Sequence, residues 1–141
     1  MSKQITASRN EMKHSSLGIF SYTNRKPTKM LKGGHGERNL QYLRKHKLFH
    51  VINHTDSNGV RHGQIGCHVR RRERKPWGHV WFPKKWNDAT IAKAGSHVAN
   101  LKKNKLKADH TPMHGKYKKV FVVTYKSRGR ICGICPKFKQ E

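Results

Sequence analysis

The sequence predicts an α+β fold in which a small antiparallel sheet packs against helices. Two strand patterns and one helix pattern carry this prediction. Residues 119–125 (KVFVVTY) are β-branched and aromatic, which is typical of a strand. A Ser-Arg-Gly turn at 127–129 then leads into a second strand at 130–135 (RICGIC), so the two strands form a hairpin.

The helix pattern lies in the middle of the chain, where apolar residues recur at spacings of 3, 4 and 3. These residues are Ile91, Ala94, Val98 and Leu101. Asn87 is the expected N-cap, and Asp88 suits the positive end of the helix dipole. Gly95 on this helix predicts a close packing contact, because glycine is otherwise unfavourable in a helix.

A second helix and a second hairpin are expected closer to the N-terminus. Residues 37–46 have leucines at helical spacing, and 48–53 (LFHVIN) reads as a strand. The Asn-Gly turn at 56–59 favours a hairpin whose return strand is 60–65. A basic loop follows at 68–78.

Two regions show no regular pattern. Residues 1–32 are polar and basic and are interpreted as an arm or a loosely packed helical segment, whereas 33–141 form the predicted domain. Residues 102–114 are interpreted as a charged connector. Leu, Ile, Val and Phe number only 27 of 141 residues, which is little apolar material for a core.

The charge of the chain predicts a polyanionic partner. The net charge is +25, well above the magnitude of roughly 2 to 8 that suffices for solubility. Nucleic acid is the leading candidate, since each neutralised phosphate releases counterions. No segment approaches the roughly 20 apolar residues of a membrane span, and the N-terminus has no apolar region typical of a signal peptide.

Eleven histidines predict acid–base chemistry. Imidazole titrates near neutrality, so a pair supplies one general base and one general acid. RNA suits such a pair: the base takes the 2′-OH proton, the oxygen attacks the adjacent phosphate, and the acid protonates the leaving 5′-oxygen. The candidates that bracket one predicted region are His35, His50, His68 and His79.

The basic loop predicts phosphate binding, because the planar guanidinium donates two hydrogen bonds at once. Trp77 is expected to be exposed for base stacking, whereas Trp81 and Trp86 are expected in the core. The candidate RNA-binding residues are Arg70, Arg71, Arg72, Arg74, Lys75, Trp77 and Lys84.

The segment from Gly33 to Pro136 resembles the bacterial branch of the EndoU-type endoribonucleases, which occur as domains of polymorphic and contact-dependent toxins. The resemblance rests on four motifs in a shared order. They are GGHGERNLQYL, NGVRHGQIGCH, WFPKKWNDATIAKAGSHVANL and YKKVFVVTYKSRGRICGICP.

The resemblance implies an EndoU-like or barnase-like nuclease fold and cleavage of RNA, in some members tRNA, to a 2′,3′-cyclic phosphate. His68 matches the second catalytic histidine, and His50 or His35 matches the first. His79 stands where the wider family has a lysine. Gly133 and Cys135 replace a Thr and an aromatic residue that position the nucleobase, so a catalytically degenerate RNA-binding protein is the alternative.

The resemblance also implies an acidic immunity protein as partner and action in the cytoplasm of a target bacterium, with delivery on a larger carrier. We expect no cofactor. The Cys132–Cys135 pair has CxxC spacing, and Cys67 is the third cysteine. A regular strand places residues three apart on opposite faces, which argues against a zinc site formed by this pair. A small zinc-stabilised basic protein is the third hypothesis.

Overall fold

The computed structural model describes residues 4–69 and 78–140 and confirms the predicted α+β architecture. The helices of the described residues are α1 (Arg9–Ser16), α2 (Glu37–Lys45) and α3 (Asp88–Ala99). The strands are β1 (Ile19–Thr23), β2 (Lys26–Lys32), β3 (His50–Thr55), β4 (Arg61–Ile65), β5 (His79–Trp81), β6 (Met113–Tyr117), β7 (Val120–Ser127) and β8 (Arg130–Pro136).

The strands form three small antiparallel sheets rather than one. Their orders are β1-β2, β3-β4-β5 and β6-β7-β8. Isolated parallel bridges join Met30 to His68 and Gly63 to Gly78. The first of these bridges ties the β1-β2 hairpin to the chain that follows β4.

The predicted central helix is confirmed as α3, although α3 ends at Ala99 and Leu101 lies beyond it. The side chain of Asn87 accepts a hydrogen bond from the backbone N–H of Thr90 at 2.9 Å, as an N-cap does. Gly95 faces β8, where an added Cβ would lie 2.7 Å from Cδ1 of Ile134. Only glycine therefore lets α3 approach the sheet this closely.

Both predicted hairpins are also confirmed. Asn58-Gly59 lies in the β3–β4 turn, and Gly59 has a positive φ of 95° that glycine adopts without strain. In the β7–β8 turn Arg128 and Gly129 have φ values of 52° and 77°. Such positive values are typical of tight hairpin turns.

Three strands, β1, β2 and β6, lack a clear signal in the sequence. β6 begins at the end of the predicted connector and has no alternating apolar pattern, so its pairing with β7 defines it. Residues 9–32 form α1, β1 and β2, and Phe20 and Met30 are buried with α2. The division of the chain at residue 33 remains a prediction.

The core has two clusters of buried side chains. The larger one lies between α3 and the β6-β7-β8 sheet, and the smaller one lies between α2 and the β1-β2 hairpin. Trp81 and Trp86 are 0% and 8% exposed, which confirms their predicted core positions. No helix among the described residues is both long and apolar enough to cross a membrane.

Candidate active site

The glycine-rich loop before α2 brings His35 next to the end of α1. The last carbonyls of a helix lack partners within the helix. Here the N–H groups of the loop are the hydrogen-bond donors to these carbonyls. Gly34 N donates to His14 O at 3.0 Å, and His35 N donates to Ser15 O at 2.6 Å. A Cβ at Gly33 would collide with the His14 carbonyl, so this close approach requires glycine.

Two reciprocal hydrogen bonds hold His35 against His79. Nδ1 of His35 donates to the carbonyl of Val80 at 2.7 Å, and Nε2 of His79 donates to the carbonyl of Gly34 at 2.7 Å. Each ring thus binds the backbone beside the other histidine. A carbonyl only accepts, so the neutral His35 ring carries its proton on Nδ1 and has its basic nitrogen at Nε2.

The rings of His35 and His79 stack in parallel, and the ring of His68 lies next to that of His79. The centroids of His35 and His79 are 4.6 Å apart, and those of His68 and His79 are 5.7 Å apart. His68 and His79 are only 3% and 2% exposed. The structure therefore brings together three of the four candidate histidines, with His35 the most accessible of them.

His35 opens into a cavity of about 190 Å³ between α1 and β8, here called the histidine cavity. It is lined by Glu11, His14, Ser15, Lys32, Gly33, His35, Tyr125, Cys132, Gly133, Ile134 and Cys135. His14 thus lines the same cavity as His35. Lys32 adds a cation, as stabilisation of a phosphate in its transition state requires.

Glu11 is the acidic member of the cavity. Its carboxylate accepts a hydrogen bond from the Ser15 hydroxyl at 2.9 Å and lies 3.9 Å from Nδ1 of His14. Burial raises the pKa of Glu11 above its usual range, and the hydrogen bond from Ser15 only partly opposes this shift. Protonated His14 would form an ion pair with this carboxylate.

A bulge in β8 changes the faces predicted for its two cysteines. Tyr125 pairs with Gly133 and Lys126 pairs with Ile131, which leaves Cys132 as an extra residue. Ile131 and Ile134 are consequently both buried, and both cysteines line the histidine cavity. The expectation of opposite faces was wrong because the strand is not regular.

Tyr125 faces the cavity from the strand beside Gly133. An added Cβ at Gly133 would lie 3.4 Å from Cδ2 of this tyrosine, so the ring lies next to the space that glycine leaves. Burial raises the pKa of the Tyr125 hydroxyl. The cavity therefore has an aromatic residue, supplied by β7 rather than by β8.

The remaining predicted residues lie elsewhere or outside the described residues. His50 begins β3, where its Nδ1 donates to the carbonyl of Leu48 at 2.9 Å. Lys84 is exposed and lines a separate surface cavity beside α2. The arginine loop and Trp77 lie within 70–77, outside the residues that the structure describes.

No three His, Cys, Asp or Glu side chains among the described residues are placed to hold a metal ion. Burial raises the pKa of the Cys132 thiol. Cys67, Cys132 and Cys135 form no disulfide.

Comparison with known protein families adds one finding. The family model described as bacterial EndoU nuclease matches residues 13–136. The chain belongs to the bacterial EndoU nuclease family. Family membership places it among the nucleases, and the α+β fold is consistent with this assignment. Searches of curated proteins and of solved structures found no significant match.

The EndoU match begins within α1, about 20 residues before the motifs that suggested the family from sequence, and it includes His14. His14 was not among the candidate histidines predicted from the sequence. The available signal was the Ser8-x-x-Glu11 pattern, a capping box that predicts a helix start, followed by Gly18 beyond its end. A helix predicted here would have placed His14 in its last turn.

Proposed function

We propose that this EndoU nuclease is a metal-independent endoribonuclease whose acid–base pair is His14 and His35. The observation that carries the proposal is that both histidines line one small cavity, together with Lys32, in a chain of net charge +25. Paired imidazoles supply both proton transfers of RNA transesterification. RNA, unlike DNA, provides the 2′-OH that this chemistry needs.

In this mechanism Nε2 of His35 accepts the proton of the 2′-OH. The 2′-oxygen attacks the adjacent phosphorus and forms the 2′,3′-cyclic phosphate as the P–O5′ bond breaks. Protonated His14 donates its proton to the leaving 5′-oxygen. The ammonium group of Lys32 stabilises the negative charge of the pentacoordinate phosphate.

His79 and His68 support His35 in this proposal. Both rings are buried, and Nε2 of His79 is engaged with the Gly34 carbonyl. His79 therefore acts as a positioning residue rather than as a replacement for the lysine charge of the wider family. His50 has no role in the proposed proton transfers.

The nucleobase next to the cut is held by Tyr125. This ring takes the place of the aromatic residue that the resemblance led us to expect near Gly133 and Cys135. The arginine loop, Trp77 and Lys84 remain the proposed contacts with more distant phosphates and bases. tRNA is one candidate substrate among structured RNAs.

The family supports a proposal for the biological setting of this domain. We propose that the domain is a toxin delivered on a larger carrier into the cytoplasm of a target bacterium. An acidic immunity protein would complement its charge. The second candidate function is RNA binding without catalysis, and the replacement of two expected residues by Gly133 and Cys135 favours it.

The test is incubation of the purified protein with total bacterial RNA in EDTA, followed by mapping of end chemistry. We expect discrete cuts that end in 2′,3′-cyclic phosphate. His14→Ala and His35→Ala should each lower the rate by about 10²- to 10⁴-fold, while His97→Ala, on the exposed side of α3, retains it. Circular dichroism checks that each variant is folded.

Other outcomes discriminate among the proposals. Loss of cleavage in folded His68→Ala, with His14→Ala fully active, would assign the second imidazole to His68. Intact RNA that is nevertheless retarded in a gel would favour the degenerate RNA-binding protein.

A further inference from the structure

A second concave surface adjoins the histidine cavity. It is a groove of about 600 Å³ between α1 and α2, with β1 as its floor. Its lining includes both basic and aromatic side chains, among them Lys13, His14, Tyr22, Tyr42 and Lys45. His14 lines both the groove and the histidine cavity, so the two surfaces meet at a proposed catalytic residue.

We propose that this groove binds the nucleotides of a single-stranded RNA that flank the scissile phosphate. The inference rests on the proposed function, because it takes the scissile phosphate to lie in the histidine cavity. The groove would act as a binding track that lengthens the recognised substrate beyond one dinucleotide.

Charge supports a polyanionic ligand. Lys13 and Lys45 are exposed on facing helices, and no acidic residue lines the groove among the described residues. Single-stranded nucleic acid is typically held by such a cationic groove combined with aromatic stacking surfaces.

The aromatic residues favour RNA over an acidic protein. Tyr22 is 56% exposed, and its hydroxyl lies 2.9 Å from that of Tyr42, which fixes the ring beside the groove. A large aromatic side chain left exposed and hydrogen-bonded in place presents a rigid face to a base. An acidic protein surface would need the cations but not this ring.

The test separates the groove from the histidine cavity by substrate length. We compare a dinucleotide with a 12-nucleotide RNA that contains the same dinucleotide at its centre. Lys13→Ala combined with Lys45→Ala should lower kcat/KM about tenfold for the long RNA and leave the dinucleotide unchanged. The slope of log kcat/KM against log salt should fall in magnitude by about 1.4, since each phosphate contact to a single strand contributes about 0.7.

The matched control is Lys102→Ala combined with Lys103→Ala, which removes the same charge from exposed residues outside both surfaces. Equal losses on the long RNA in the two double variants would overturn the proposal, because the effect would then come from net charge. Equal losses on both substrates in the groove variant would also overturn it, since the damage would lie in the histidine cavity.

A second measurement does not depend on cleavage. A 12-nucleotide 2′-O-methyl RNA cannot react, so its Kd reports binding alone. Tyr22→Ala should weaken this binding about fivefold to 150-fold, the range expected for loss of one stacked base. Tyr22→Phe keeps the ring but loses its hydrogen bond to Tyr42, so it should weaken binding by less than Tyr22→Ala does. An unchanged Kd for Tyr22→Ala, or an equal loss with polyglutamate as ligand, would overturn the RNA assignment.

These measurements distinguish failure of the proposed nuclease function from failure of the groove as an RNA-binding surface. A wild-type protein that cleaves neither substrate contradicts the proposed function. If the 2′-O-methyl RNA still binds through Tyr22 in that case, the groove is retained as an RNA-binding surface.

Discussion

The rings of His35 and His79 are stacked 4.6 Å apart with their planes 1° from parallel, and each binds a backbone carbonyl next to the other. The residue before His35 and the residue after His79 are the two acceptors. This reciprocal arrangement connects the glycine-rich loop to β5. It gives His35 one ring orientation and one neutral tautomer.

Replacement of His79 should reduce both stability and turnover. In His79→Ala the buried carbonyl of Gly34 loses its donor, so the free energy of unfolding should fall by about 1–3 kcal/mol. We expect kcat to fall more than KM changes, because His35 loses its support. His79→Gln keeps an N–H donor and should recover part of both losses.

Urea unfolding and steady-state kinetics measure these effects, with His97→Ala as the control for loss of an exposed imidazole. A folded His79→Ala enzyme with the wild-type kcat would show that the stack has no positioning role.

Tyr125 should control which nucleobase occupies the histidine cavity. Stacking of one base is worth about 1–3 kcal/mol, so Tyr125→Ala should raise KM roughly tenfold and weaken the preference among dinucleotides. Tyr125→Phe keeps the ring and should behave as wild type. Gly133→Val places a side chain beside this ring and should also raise KM.

The measurement is kcat and KM on four dinucleotides that differ only in the base before the cut. Unchanged preferences in both Tyr125→Ala and Gly133→Val would place nucleobase recognition elsewhere.

Removal of one partner from the buried ion pair between Arg61 and Glu37 should strongly destabilise the protein. The pair is 2.6 Å apart with side chains 8% and 12% exposed, and Arg61 also donates to the carbonyl of Phe82 at 2.7 Å. Glu37→Ala leaves a buried guanidinium without its carboxylate and should lower the free energy of unfolding by about 3 kcal/mol or more.

Arg44 provides the matched comparison, because its guanidinium lies 3.7 Å from the same carboxylate but is 56% exposed. Arg44→Ala should change the free energy of unfolding by less than about 1 kcal/mol. Equal effects of the two substitutions in urea unfolding would contradict the assignment of the buried pair.

Glu11 should destabilise the protein at neutral pH. Burial raises the pKa of its carboxyl in the folded state above the ordinary 4.5. The folded protein then binds this proton more tightly than the unfolded chain, so stability is lost as pH rises from 4.5 through the folded pKa. Glu11→Gln should therefore be more stable than wild type at pH 7 and equal to it below pH 4.5.

Thermal unfolding across this pH range measures the difference. A Glu11→Gln variant that is less stable than wild type at pH 7 would show that the ionised carboxylate is favoured in the fold. Activity is expected to fall in the same variant because the ion pair with protonated His14 is lost.

Elements with strong local signals agree between sequence and structure. The spacing of Ile91, Ala94 and Val98, the Asn87 cap and the Asn58-Gly59 turn each depend on neighbours within a few residues. Such signals can be recognised in the sequence without knowledge of the tertiary structure. The strands β1, β2 and β6 lack them, because none has a clear alternation of apolar residues, and pairing with the adjacent strand defines each of them.

The candidate site was predicted only in part for the same reason. His35 and His79 were identified as candidates, and the structure stacks them. His14 was overlooked, since its proximity to His35 depends on hydrogen bonds between the end of α1 and the glycine-rich loop. Tyr125 was also overlooked, because its relation to Gly133 depends on the register of two strands.

The sequence by itself determined the α+β class, the strong positive charge, the central helix with its cap, and the resemblance to the EndoU family. These properties follow from composition and from contacts between residues that are close in the chain. Only the tertiary structure decided which histidines share a cavity and that a bulge turns Cys132 and Cys135 to one face. Those relationships depend on strand register and on helix-to-loop hydrogen bonds, which join residues that no local pattern relates.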